Sequence, residues 1–230
     1  SIMIPPTTIS TLFPYTTLFR SYLKKIKYHI LSKNESILHF METLTRTLID
    51  QGLTEQVLTE KQLARLLRGT DQRRYNLVNR ALHAQELWRL RRGRYLLSPV
   101  VSGYRPHPFV IVQSLHPGAY VSFEAALSHH GWIPESTPLV QAVTPGRRRD
   151  LVTVTGVGEF RFYPLALNPG GFLRGVERSV LSGHPALVAR PLRALLDLLC
   201  LRKEEWPGET ALLQGLRIDE QAWKSVDVSE

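Results

Sequence analysis

The stretch Leu58–Pro99, LTEKQLARLLRGTDQRRYNLVNRALHAQELWRLRRGRYLLSP, decides the fold. Thr59 with Gln62 three residues later is a capping-box pattern, and Leu63, Leu66 and Leu67 form one apolar stripe that Gly69 stops, so a short helix is expected. Arg68, Gly69 and Thr70 make a tight break, after which Thr70 or Asp71 caps a second helix expected to reach about Gln85. At about 100° per residue Leu77, Val78, Ala81 and Leu82 fall on one face of it. Gln72, Asn76, Asn79, Arg80 and His83 gather on the opposite face, flanked by Arg73. Trp88 and Leu90 then alternate with Arg89 and Arg91, Arg92-Gly93 supplies a two-residue turn, and Arg94 to Leu97 form a returning strand. Two helices followed by a basic hairpin is the order of a winged helix-turn-helix.

Charge concentrates in the same place. Lys and Arg exceed Asp and Glu by 10 to 3 in Leu58–Pro99, by 6 to 4 before it and equal them at 13 to 13 after it, which recovers the net charge of +9 over 230 residues. A surplus confined in this way points to nucleic acid rather than to general solubility. Arginine bonds guanine as a fork, and Asn or Gln does the same with adenine. The helix residues Gln72, Arg73, Arg74, Asn76, Asn79 and Arg80 are therefore the expected readers of a major groove, with the first turns deepest. Arg91, Arg92 and Arg94 at the hairpin tip are expected on phosphates or in a minor groove, adding affinity and register more than readout. Double-stranded DNA is the expected partner; a solvated helix face is the other reading of such a stripe.

Upstream, Ile37, Leu38, Phe40, Met41, Leu44, Leu48 and Ile49 recur at helical spacing over Ser36–Gln51, and Gly52 ends that helix. Thr11–Ser21, TLFPYTTLFRS, reads like the conceptual translation of a sequencing adapter. Residues 1–21 are accordingly expected to be an assembly artefact, and those up to 35 a flexible arm. The expected winged helix-turn-helix occupies 36–99.

Beyond Pro99 the segment 100–108 is punctuated by Gly and Pro and reads as a linker. A small α+β domain is expected over 109–206. Phe109–Leu115 is a strand or a helix turn, Ser122–His130 a short helix capped by Ser122, and Leu139–Thr144 a strand. Leu151–Thr155 and Glu159–Tyr163 flank the turn Gly156-Val157-Gly158 as a hairpin, and Pro191 opens an apolar helix. Residues 207–230 form a tail without assignment. Cys200, inside ALLDLLCL, is expected to be a buried thiol. No apolar run approaches the ~20 residues needed to cross a bilayer.

Catalytic patterns are weak. Asp150, Glu159 and Arg161 loosely match the acidic-acidic-basic trio of metal-dependent nucleases. His116, His129, His130 and His184 lack metal-ligand spacing, and Gly156, Gly158, Gly170 and Gly171 suit turns rather than a phosphate loop. No cofactor or metal is expected. Arg147, Arg148 and Arg149 form a basic turn, either an extension of a DNA footprint or a solvated loop.

The segment Ala119–Glu135, AYVSFEAALSHHGWIPE, resembles the AbiEi-type antitoxin family of type IV toxin–antitoxin systems. In that family a winged helix ending in a Gly-x-Tyr hairpin (here Gly93 to Tyr95) precedes Tyr-Val-Ser (Tyr120–Ser122), small-Ala-Leu (Ala125–Leu127) and His-Gly (His130-Gly131). Gly158–Pro164 and Ala189–Leu201, with its Ala-Leu-Leu-Asp at Ala194–Asp197, resemble the family's strand and Pro-led helix. The likeness spans about 36–201. Leu192 and Arg193 depart from it where an acidic residue is often found. The resemblance implies a bacterial, cytoplasmic repressor that autoregulates its operon and counters a nucleotidyltransferase-like toxin without a stable complex. Ser122 and Asp197 are expected in packing or local hydrogen bonding. The alternatives are a DNA-targeted nuclease and a regulator unrelated to a toxin, with a protein-interaction module in its second half.

Overall fold

The structure, a computed structural model, describes residues 42–134, 138–203, 205 and 208–225. The expected artefact, the arm and the start of the first helix lie outside the described residues. The fold is mixed α+β, with helices and two sheets.

Helix α1 (Thr43–Asp50) buries Leu44 and Leu48. Strand β1 (Leu58–Thr59) leads into α2 (Glu60–Leu66), whose entry is fixed by the capping box. Gln62 N donates to Thr59 Oγ1 at 3.2 Å, and Thr59 N donates back to Gln62 Oε1 at 2.8 Å. Helix α3 (Asp71–His83) starts where Thr70 accepts from Arg73 N. Its Leu77, Val78 and Ala81 seal a small core with Leu44, Leu48, Leu58 and Leu63. Strands β2 (Leu87–Arg91) and β3 (Arg94–Leu97) turn at Gly93, whose φ of +72° suits a residue without Cβ. The sheet order is β1-β3-β2, all antiparallel.

Pleating divides the hairpin between two cores. Leu87, Tyr95 and Leu97 face the helices, while Leu90 and Leu96 belong to the larger core of the second half. The segment read as a linker begins with a helical turn, α4 (Pro99–Ser102), entered at Ser98, whose Oγ accepts from Val100 N. Phe109–Leu115 is helical rather than extended: α5 (Pro108–Leu115) has proline at its first position and buries Phe109, Ile111, Val112 and Leu115.

The second sheet has the order β6-β7-β5-β4-β9-β8, built from β4 (Tyr120–Val121), β5 (Leu139–Thr144), β6 (Asp150–Val154), β7 (Gly158–Pro164), β8 (Val176–Leu181) and β9 (His184–Ala189). Its β4/β9 and β5/β7 pairs are parallel and the rest antiparallel. Helix α5 covers one face, where His116 stacks on Phe162 at 4.1 Å. Helices α6 (Phe123–His129) and α7 (Pro191–Arg202) cover the other, where Phe123 meets Tyr163 at 5.3 Å and Asp197 meets Tyr120. The tail carries two helices, α8 (Glu209–Leu216) and α9 (Glu220–Lys224), and Leu212 and Ile218 enter the large core. Cys200 is exposed, contrary to expectation, because α7 turns that position to solvent between Leu199 and Leu201. No helix among the described residues is long and apolar enough to cross a membrane.

Candidate nucleic-acid interface

Helix α3 presents Gln72, Arg73, Asn76 and Arg80 to solvent on the side away from Leu77, Val78 and Ala81. Gln72 Nε2 donates to Asn76 Oδ1 at 3.1 Å, an i,i+4 bond that aligns two amides along the helix. The Arg73 guanidinium folds back to the Arg68 carbonyl at 3.2 Å and packs over Gly69, which keeps it on the helix's N-terminal end. Arg80 lies 3.5 Å from Glu42 and stays more than half exposed. With Thr43, Thr70 and His83 these residues line an open groove along α3.

Two of the expected readers sit elsewhere on the helix. Arg74 is paired with Asp71 at 2.8 Å, and its side chain is only 17% exposed, turned toward the hairpin. Asn79 is half-buried and borders both the outer groove and the crevice between α3 and the hairpin. That crevice also holds Tyr75, Arg89 and Tyr95. Tyr75, 61% exposed, was not among the expected residues, although positions 72, 75, 76 and 79 form one i, i+3, i+4, i+7 stripe. Arg89, also not among them, lies over the Tyr95 ring at 6.0 Å.

The hairpin borders the N-terminal half of α3, where Arg89 and Tyr95 share a crevice with Asp71, Gln72, Arg74 and Tyr75. Glu60 N donates to the Gly93 carbonyl at 3.1 Å, tying the turn to the start of α2. Arg92 is exposed and Arg94 half-buried. Arg91 points the other way: a bulge between Arg89 and Arg91 shifts the pleat, and the guanidinium donates to the Leu115 carbonyl at 2.6 Å. The same nitrogen is 3.3 Å from His116 Nε2, which is itself 2.7 Å from Asp150 Oδ2. The structure thus brings Gln72, Arg73, Asn76 and Arg80 together on one face, leaves Arg92 and Arg94 at the tip, and engages Arg91 with the second half.

A second constellation is internal. Asp197, on α7, is 2% exposed and accepts from Ser122 Oγ at 2.7 Å, Tyr120 OH at 3.0 Å and Arg193 Nε at 2.8 Å. Arg193 uses all five of its N–H groups: besides Asp197, Nη1 donates to the Gly171 and Arg174 carbonyls, and Nη2 to the Phe172 carbonyl and Tyr120 OH. Burial pushes the Asp197 carboxyl up, against the pull of its Ser122 and Arg193 hydrogen bonds. Burial and the Asp197 charge push the Tyr120 phenol well above its ordinary range. Burial also works against the Arg193 charge, but the attraction of Asp197 and Tyr120 outweighs it and the guanidinium is held more firmly protonated. The Arg193 guanidinium beside it and the two hydroxyls aimed at it favour the ionised form of Asp197 against that burial. Phe123, next to Ser122, holds a left-handed φ of +58° with its ring fully buried. Such a conformation costs about 1–3 kcal/mol in a non-glycine residue and persists where packing over-determines it.

The nuclease-like trio does not converge. In the β6/β7 register Asp150 pairs with Phe162, Leu151 with Arg161 and Thr153 with Glu159, so Asp150 points to the α5 face while Glu159 and Arg161 point to the other. No group of three His, Cys, Asp or Glu among the described residues is placed to hold a metal ion. No protein-family model matches the chain, and no curated protein matches it in sequence.

Proposed function

We propose that the chain is a DNA-binding transcriptional repressor, with 36–99 as a winged helix-turn-helix, α3 as the recognition helix and the β2–β3 hairpin as the wing. The observation that carries this reading is the outward face of α3. Gln72, Arg73, Asn76 and Arg80 stand exposed on the helix whose other side seals the small core, and Arg89 and Tyr95 of the hairpin border its first turns. Amides and guanidinium groups are the side chains that read purine edges as pairs of hydrogen bonds. Arg92 and Arg94 add phosphate contacts without sequence preference.

The test is fluorescence anisotropy on duplexes enriched by the protein from a random-sequence library. About six phosphate contacts give a log-log salt slope near −5. Arg73→Ala and Asn76→Ala each relax base preference by about 1–3 kcal/mol where they read a base, whereas Arg92→Ala weakens all sequences alike. Equal affinity for every sequence refutes the repressor.

The resemblance over 36–201 extends the proposal to the antitoxin of a type IV toxin–antitoxin system, acting in the bacterial cytoplasm against a nucleotidyltransferase-like toxin without forming a stable complex with it. What supports this is that two segments carrying the resemblance, Tyr120–Ser122 and Ala194–Asp197, meet in one buried hydrogen-bonded cluster. Co-expression with the neighbouring reading frame is the assay, and undiminished toxicity rules the role out.

A further inference from the structure

We infer that the DNA footprint does not end at the hairpin but continues onto the β5–β6 loop of the second half, where Arg147, Arg148 and Arg149 take the phosphates of the duplex flanking the wing. This rests on the DNA-binding reading and extends it to a part of the chain outside the helix-turn-helix.

The argument is one of placement. Strands β2 and β6 lie alongside each other and are fixed at two points. At one end the Trp88 ring covers Gly156, so closely that a Cβ there would stand 2.6 Å from Cζ2. At the other end Arg91 Nη1 is 3.3 Å from His116 Nε2, and His116 Nε2 is 2.7 Å from Asp150 Oδ2. From Arg91 the chain runs on into Arg92, Gly93 and Arg94; immediately before Asp150 come Arg147, Arg148 and Arg149. Both arginine runs therefore project beyond the same end of the paired strands, the end where Glu60, beside Gly93, shares a crevice with Asp71 and Gln72 of α3.

The loop is anchored as well as adjacent. Pro145, at its start, packs against Gly118, 3.3 Å from where a Cβ would sit, and the Arg149 guanidinium lies over the Tyr163 ring at 5.5 Å. All three loop arginines are exposed. Neither they nor Arg92 and Arg94 have a described residue as an ion-pair partner. The acidic groups nearby are Glu60, beside Gly93, Asp71, which is paired with Arg74, and Asp150, whose carboxylate is taken by His116. Seven arginines (Arg74, Arg91, Arg92, Arg94 and Arg147–Arg149) against those three carboxylates leave a strongly positive end. An anionic surface long enough to touch both runs at once is a nucleic-acid backbone, and the base-reading face of α3 beside it selects duplex DNA over a small anion.

The experiment compares two duplexes carrying the same library-selected core, one ending at the wing and one prolonged by ten base pairs on the wing side. The wild-type chain binds the longer duplex more tightly, with a salt slope steeper by about 2.7 at ~0.9 per phosphate. Extrapolated to 0.15 M salt that increment is worth roughly 100-fold in affinity as an upper bound. R147Q/R148Q/R149Q loses the length dependence and keeps its preference for the selected core on the short duplex. R147Q/R148Q, which leaves Arg149 on Tyr163, loses about 1.8 of the slope and guards against a folding defect. If the wild type ignores the flank, or the triple variant keeps the wild-type slope on the long duplex, the loop does not touch DNA although the helix-turn-helix reading stands. A wild-type chain that binds neither duplex overturns both.

Discussion

Asp197→Asn is nearly isosteric and removes one charge from a site where nothing else can replace it. The carboxylate is 2% exposed and the Arg193 side chain 12% exposed, so solvent cannot take over the guanidinium once its partner is neutral. The new amide also brings two N–H groups to a place surrounded by three donors, Ser122 Oγ, Tyr120 OH and Arg193 Nε. Breaking a buried pair from one side costs about 3–5 kcal/mol. At about 2–4 °C per kcal/mol for a chain of this size, the melting temperature falls by roughly 6–20 °C. Urea unfolding followed by circular dichroism and by tryptophan fluorescence measures it, with the midpoint moving and the slope unchanged. Arg193→Met with Asp197→Leu regains part of the loss, because no charge is left buried. The gain is incomplete, since the carbonyls of Gly171, Phe172 and Arg174 lose their common donor. A loss below about 1 kcal/mol for Asp197→Asn would mean that the cluster is open to water and that the charge argument fails.

Three other outcomes are open to simple measurement. Gly156→Ala must accommodate a Cβ 2.6 Å from the Trp88 ring at a φ of +81°, so it destabilises by about 2–4 kcal/mol in urea, and an unchanged midpoint would place the hairpin away from β6. His107 and His129 titrate below the ordinary imidazole value, His107 through burial and the nearby His129, and His129 through burial and His130, with Glu177 acting the other way. The unfolded chain therefore takes up protons first as pH falls below about 6.5, so stability is full above that value and is lost toward the lowered folded values. His129→Gln flattens the acid limb of a melting-temperature profile; an identical limb in both proteins refutes the assignment. Cys200, exposed on α7, reacts with a thiol reagent in the native state without a lag, whereas modification that waits on unfolding would bury it.

What was legible in the sequence is what local chemistry determines. Thr59 with Gln62, Thr70 before Asp71, Gly93 after Arg92 and Pro191 ahead of its apolar run each act within four residues, and each stands where it was expected. The β8–β9 hairpin has a turn signal in Ser182-Gly183, but Pro185 interrupts the following strand, and a proline there argues against a ladder. Helices α8 and α9, eight and five residues long, are too short to be marked by propensity and exist through the packing of Leu212 and Ile218. The face of α3 was largely legible because helical period alone sorts Gln72, Asn76 and Arg80 from Leu77 and Ala81. Arg91 was not, since one bulge reverses the direction that alternation assigns to it. Ser122 and Asp197, 75 positions apart, have no local sign of each other at all.

That reversal bears on how the two halves work together. A hairpin that serves only as a wing would bury one face and leave the other in water. Here Leu87, Tyr95 and Leu97 fill the small core while Leu90 and Leu96, both essentially inaccessible, fill the large one. Burying those two leucines contributes about 3–6 kcal/mol at ~1.5–3 kcal/mol per side chain, before Trp88 on Gly156 or the Arg91 bond to Leu115 is counted. A Gly- and Pro-rich connection over 100–108 would ordinarily suggest independent domains, yet separating the halves must expose this surface. The hairpin is thus a shared wall: a shift of α5 or β6 in the second half moves the hairpin tip directly, with no need for a message through the connection. Under the proposed DNA-binding reading, any influence of the second half on the hairpin enters through Leu90, Leu96 and Arg91. Leu90→Ala, costing about 2–5 kcal/mol of stability, should therefore uncouple the halves while sparing the capped helices α2 and α3.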